Sequence, residues 1–358
     1  MPQVFRNLLS RLPEKNKIAR YLLYAVGEIM LVVIGILIAV EIGNINEERK
    51  SAEDFRAALR ELELDLMTDI SQTEQLREYY ETKDSLARTV LRGRATREQY
   101  ENEFDFRYLV VEMQRFEIHQ NGYNKLQKMT EAANRNYETL FNGLNDLYGT
   151  VNPYLLSESN DLWNYKGSVI REWERTYPWF NQLTYRSKLD PIVIDFMMND
   201  WRYKNNVKTY HTQVAGFIRT LSAFQRRAIN ILHEKRALEN GTEIMKDSRI
   251  LEILKFDTLK LQKCPDDFPI TRYDVYNPYE RSISANVYVI KNEKSIPIQV
   301  FSDYDFGSGI VMEPLVVKPG ALLINWNASE IAYIIKDREG NCLGSFISGK
   351  NNGFVVIQ

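Results

Sequence analysis

The densest apolar stretch lies near the start of the chain. From Tyr21 to Ile42, 22 residues, only Glu28 and Glu41 carry charge, and the 12 residues Ile29–Val40 carry none. At ~1.5 Å rise per residue such a helix reaches about 33 Å, enough to cross a ~30 Å hydrocarbon core. Its apolar side chains point in every direction, which leaves no polar stripe for water. Tyr21 and Tyr24 stand at one end, where aromatic residues favour the interface. The pattern predicts a transmembrane helix over 21–43.

The period stays helical beyond it. Asn46–Leu91 holds neither proline nor glycine and predicts one long, stalk-like helix that closes near Gly93. Phe55, Leu59, Leu62 and Leu66 repeat at coiled-coil spacing. The same register then meets Asp69 and Thr73 before Leu76, Tyr80, Ala87 and Val90. That break favours a helix packed on its own chain over a two-stranded coil. Tyr108, Leu109, Val110, Val111 and Met113 predict a helix ending near Asn121-Gly122, and Leu126, Met129, Ala133, Tyr137, Leu140, Leu144 and Leu147 predict another over 123–148. Leu155–Trp179 reads as partly helical. Asp190 and Pro191 fit the N-cap and first position of a further helix. Val207, Tyr210, Val214, Phe217, Leu221, Phe224, Ile231 and Leu238 mark the apolar side of a long helix over 205–238, closed by Asn240-Gly241. Residues 44–255 are thus expected to form an extramembrane helical bundle.

Near Cys264 the pattern changes. Pro265, Pro269 and Pro278 break helix, so 256–283 reads as a linker. Seven short β-type runs follow: Ala285–Lys291, Ile296–Ser302, Gly309–Val317, Ala321–Asn327, Glu330–Lys336, Asn341–Ile347 and Phe354–Gln358. With turns such as Lys318-Pro319-Gly320 between them, they predict a small antiparallel β-sandwich over 284–358. The expected fold is mainly α, with a single N-terminal transmembrane helix, a long helical bundle and a C-terminal all-β domain.

Charge sets an orientation. Residues 1–20 carry Arg6, Arg11, Lys15, Lys17 and Arg20 against Glu14, and the 20 residues after the span carry Arg49, Lys50, Arg56 and Arg60. Five basic residues against four places the N-terminus in the cytoplasm. Val4, Phe5, Leu8, Leu9 and Leu12 beside Arg6 and Arg11 make 1–20 a basic amphipathic tail on the inner membrane surface. No small-x-small cleavage site follows the apolar run, so it reads as an uncleaved anchor.

Within the span, Glu28, Val32, Gly35 and Ala39 share one helix face, and Gly35, Ala39 and Gly43 recur every fourth residue. Small residues so spaced let helices approach closely, and a carboxyl group inside a span usually faces protein or water. Two readings stay open. Glu28, Val32, Gly35, Ala39 and Gly43 form a helix-contact face, or Glu28 sits hydrated at the interface and the glycines face lipid.

Lys17–Lys50 resembles the opening signature of an uncharacterised family of Gram-negative bacterial membrane proteins, known only as a domain of unknown function. The matching residues are Tyr21–Ala25, Gly27–Ile29, Val33–Ala39 and Asn44–Arg49. The chain departs from that signature after Val40, where Glu-Ile-Gly-Asn-Ile stands. The resemblance implies an inner-membrane anchor with a helical extramembrane domain, and no activity; with one span and a cytoplasmic N-terminus, the anchor is expected to be single-pass with that domain on the periplasmic side. The strand order and "IAYIIKDREGNCLGSF" of the C-terminal part resemble the β domain of the von Hippel–Lindau protein, and no binding residue is carried across.

Composition changes this picture little. A length of 358 residues fits two or three domains, and a net charge of −2 gives no global field for nucleic acid. His119, His211 and His233 are far apart and no Cys-x-x-Cys occurs, so no metal site is assigned. Cys264 and Cys342 can pair if the C-terminal part lies outside the cytoplasm. Glu61, Glu63, Asp65 and Asp69 read as a solvated helix face. Asp303, Asp305 and Gly307 resemble the start of a calcium loop, but Pro314 stands where its twelfth-position glutamate belongs. His119 and His211 fall in predicted helices, and Ser345 lacks a Gly-x-Ser-x-Gly elbow. No catalytic residue and no cofactor is assigned. The expected partners are the lipid bilayer and, through the span, bundle or sandwich, a second copy or another envelope protein. The expected role is a tethered interaction or scaffold protein; the alternative is an envelope enzyme acting on a polymer or peptide.

Overall fold

The computed structural model describes residues 17–129, 135–183, 189–240, 247–264, 285–302, 314–328, 331–349 and 351–358. The basic tail before residue 17 and the Asp303–Gly307 loop lie outside them. One helix, α1 (Lys17–Leu91), runs for 75 residues and joins the predicted span to the predicted stalk. Nothing in that stretch stops a helix. The stop is Gly93, whose φ of 68° lets the chain turn back while Gly93 N–H and Arg94 N–H donate to the carbonyls of Val90 and Thr89.

The 3-4 register runs on through its polar positions. Leu59, Leu62, Leu66, Asp69, Thr73, Leu76, Tyr80, Lys83, Ala87 and Val90 are all buried. Their main neighbour is α8 (Trp201–Asn240), which packs along α1. Val207, Tyr210, Val214, Phe217, Leu221, Phe224 and Ile231 are buried there, whereas Leu238 is 40% exposed.

Three helical expectations need correction. Tyr108–Gln120 is not a helix: after a turn the chain runs extended across α1. The Tyr80 hydroxyl donates to Gln114 O at 2.5 Å and accepts from Gln114 N at 3.1 Å, which satisfies backbone that a helix would have bonded internally. Asn121 begins a helix rather than ending one. The 123–148 segment is divided into α4 (Asn121–Gln127), a 3₁₀ turn (Arg135–Tyr137), α5 (Glu138–Asp146) and a π turn (Leu147–Val151) that leads into α6 (Asn152–Thr176). Two short helices, α2 (Arg97–Asn102) and α3 (Phe104–Arg107), form where the sequence pattern predicts none. In α7 (Pro191–Asn199), Asp190 caps as expected, accepting from Ile192 N at 3.0 Å. The last helix is α9 (Ser248–Leu254).

The strands are β1 (Asp257–Thr258), β2 (Ala285–Asn292), β3 (Ile298–Ser302), β4 (Leu315–Val317), β5 (Leu322–Ala328), β6 (Ala332–Lys336), β7 (Cys342–Ile347) and β8 (Gly353–Ile357). They form two four-stranded sheets, β1-β8-β2-β5 and β4-β3-β6-β7. The second sheet is antiparallel, but the first is mixed: β8 runs parallel to both β1 and β2. Alternation along β8 reported a strand and not its neighbour. Both faces of β2 are buried. Val287 and Val289 join the helical core, while Ile290 joins Val300, Tyr333 and Ile335 in a second cluster. The first sheet therefore contributes to both hydrophobic clusters.

Candidate functional site

From Glu28 to Asp54 every residue of α1 is exposed. Glu28, Val32, Gly35, Ala39 and Gly43 lie within this bare segment, and a Cβ on Gly35 or Gly43 would meet only open space. The helix is a candidate membrane span by length and composition. The first deeply buried residue is Ala58, at 1% exposure. Fifteen residues separate it from Gly43, a rise of about 22 Å.

Above Ala58 the helix is fastened to the rest of the chain by charge. The predicted solvated face of Glu61, Glu63, Asp65 and Asp69 is partly an interior one, because distant segments supply donors to it. Asp65 accepts from Gly122 N at 2.8 Å. Asp69 is fully buried and accepts from His119 N at 3.1 Å, with His119 Nδ1 2.8 Å away. Burial pushes the Asp69 carboxyl up to about 7, against the hydrogen bonds from His119, and the Asp65 charge adds to the rise. Glu63 meets Lys235 and also Arg236, at 2.6 Å, and Arg236 continues to Asp247 at 2.7 Å. Burial raises the Glu63 carboxyl, but its bonds to Lys235 and Arg236 outweigh this and leave it below the usual range. Higher up, the buried ammonium of Lys83 lies 2.6 Å from Asp105 and 2.8 Å from Glu112.

A buried polar joint ties α1 to the strands. Arg77 pairs with Glu74 at 2.5 Å and Glu81 at 2.6 Å, and donates to Asn286 Oδ1 at 3.0 Å. Gln225 donates to Glu74 at 2.8 Å. Asn352 donates to Leu254 O at 2.6 Å and accepts from Val287 N at 2.8 Å. Burial would lower the Arg77 pKa, but Glu74 and Glu81 beside it raise it on balance. Helix, connector and sheet thus meet on one set of side chains. None of these residues was singled out in the sequence; the available signal was asparagine at positions 286 and 352, flanking strongly apolar strands.

Of the two histidines expected on helices, His211 is on one and His119 is not. His119 lies in the extended segment, with its side chain 42% exposed. His211 is on α8, buried, with Nε2 3.2 Å from Asp84. Ser345 lies on β7 and donates to Lys263 O at 3.1 Å. Cys264 and Cys342 are joined by a disulfide, their Cα atoms 6.2 Å apart. Among the described residues no group of three or more His, Cys, Asp or Glu could hold a metal ion.

Residues 28–95 match a family described as a family of unknown function (DUF6090). That match covers most of the candidate span, the bare segment and the buried seam of α1. Comparisons with curated proteins and with solved structures found no match.

Proposed function

We propose that this chain is a single-pass inner-membrane protein of a Gram-negative envelope that holds its helical bundle and a β-sandwich on the periplasmic side, as a tethered interaction or scaffold protein. The observation that carries the reading is the unbroken helix α1, bare and apolar at one end and fastened into the core at the other. Such a helix holds the extramembrane part at a fixed height, about 22 Å above Gly43. The cytoplasmic N-terminus is supported by the basic tail, and the periplasmic side by the disulfide, a bond that persists in oxidising compartments. The face of Glu28, Val32, Gly35, Ala39 and Gly43 is where a second copy or an envelope protein would meet the span. A reporter fused after Gln358 and active only outside the cytoplasm tests the orientation; activity only in the cytoplasmic form overturns it. Crosslinking in intact cells tests the role, and a strictly monomeric chain with no crosslinked neighbour counts against a scaffold.

A second reading, an envelope enzyme acting on a polymer or peptide, is favoured by the Asp69–His119 pair. A buried carboxylate holds one imidazole nitrogen of a half-exposed histidine, an arrangement that suits proton transfer. Turnover of envelope material lost in His119→Ala, with the fold retained, would favour it.

A further inference from the structure

Residues 257–264 form a strap that touches the rim of both sheets. At its start, β1 pairs with β8 at the edge of the first sheet, and Leu259 N donates to Phe354 O at 2.8 Å. At its end the strap crosses to β7, the edge of the second sheet. There Gln262 N donates to Ser345 O at 2.8 Å, and Ser345 N donates to Gln262 O at 3.1 Å. Two glycines make room for it. A Cβ on Gly353 would come 2.6 Å from Leu259 Cδ1, and one on Gly344, whose φ is +157°, would come 3.2 Å from Leu261 Cδ2.

The two ends of the strap are held unequally. The start rests on β8 and on the buried Leu254 just before it. The end has the Gln262–Ser345 bridge, the Ser345 hydroxyl on Lys263 O and the Cys264–Cys342 bond, and Gln262 and Lys263 are themselves exposed. Both cysteines are only half-buried, so a thiol can reach them. We propose that Cys264–Cys342 is a redox latch: reduction by a dithiol frees the end of the strap and uncovers the edge of β7, while the rest of the fold persists. A thiolate of the dithiol attacks one sulfur and the other leaves as thiolate. The reagent's second thiol then attacks the mixed disulfide, releases the remaining cysteine as thiolate and closes the reagent's own S–S bond. Two electrons and two protons pass to Cys264 and Cys342. None of these residues belongs to α1, so the latch stands whether or not that helix spans a membrane.

The test is amide hydrogen exchange on the full chain in detergent, oxidised and after dithiothreitol, with Cys264→Ser measured without reductant. Local release raises exchange about tenfold or more in peptides over 259–264 and 342–347 and leaves α8 and β2 unchanged, and Cys264→Ser reproduces this. Unchanged exchange at the strap and β7 overturns the latch, because the other contacts then hold the strap unaided. A rise throughout the chain also overturns it, because the bond then supports the whole fold.

Discussion

Asp69 and His119 are fifty residues apart in sequence and meet through two hydrogen-bonding groups of the histidine, its backbone N–H and its Nδ1, on one buried carboxylate. The pair pins the extended segment before α4 to the middle of α1. It also makes stability depend on pH. The Asp69 pKa is raised from 3.8 to about 7, so between those values the unfolded chain has released a proton that the folded chain keeps. The contribution is full below 3.8 and is lost as pH rises through about 7. Each pH unit crossed between the two values removes ~1.4 kcal/mol at most. Asp69→Asn keeps an acceptor for His119 and cannot ionise. Urea unfolding at a series of pH values should show a flatter stability profile between pH 4 and 7 than the natural chain. Identical slopes would show that Asp69 does not titrate there.

Arg77 is the cation of the joint between helix and sheet. Replacing it with Met leaves Glu74 buried with only neutral donors, Gln225 and Asn352. Breaking a buried pair this way costs about 3–5 kcal/mol, whereas removing both charges is much less costly. Arg77→Met should therefore lower the urea midpoint strongly, and Glu74→Gln with Arg77→Met should recover part of the loss. Equal losses in the single and double variants would mean that the charges are not coupled.

The seam of α1 shows what could be read from the sequence and what could not. Leu59, Leu62 and Leu66 announce their burial by type and spacing, and so do Leu76, Tyr80, Ala87 and Val90. Asp69 and Lys83 occupy the same register, but their burial depends on His119, Asp105 and Glu112, which lie tens of residues away. A single helix pattern cannot distinguish a satisfied polar residue in a seam from a solvated one. The same limit applies to Tyr108–Gln120, whose apolar count suggested helix while its backbone partner was the Tyr80 hydroxyl. It applies again to the joint of Arg77, Asn286 and Asn352. Strands and turns in the C-terminal part were legible because Pro-Gly and Asp-Arg-Glu-Gly breaks are local. The parallel entry of β8 was not, because its partner β2 is encoded more than sixty residues earlier.

Gly122 and Gly149 should respond oppositely to alanine. A Cβ on Gly122 would run into the backbone of Leu62 and lie 2.9 Å from the Glu61 carbonyl carbon, so α4 would have to leave α1. Gly149 sits in the π turn with nothing within 4 Å of an added Cβ. Thermal unfolding should therefore show Gly122→Ala destabilised by several kcal/mol, about the scale of an overpacked core. Gly149→Ala should be neutral or stabilised by up to ~1 kcal/mol. Similar midpoints for the two variants would refute the close approach of α4 to α1.

The bare segment of α1 gives the sharpest test of anchoring. Every residue from Glu28 to Asp54 is exposed, and core packing begins with the half-buried Phe55, against Tyr137, and with Ala58. A chain starting at Asn44 removes the whole apolar span and no core contact. It should lose membrane association, stay soluble without detergent, and keep the thermal midpoint of the full chain. The exposed turns Asn44–Asp54 should fray in water, since an unsupported helix end gains little from propensity alone. Circular dichroism should then lose helical signal only over those residues and the deleted ones. Sedimentation of the shortened chain with membranes would show that the extramembrane part itself binds lipid or a resident protein. Unfolding of the shortened chain would show that the span supports the bundle, and would overturn the division of α1 into a free anchor and a packed seam.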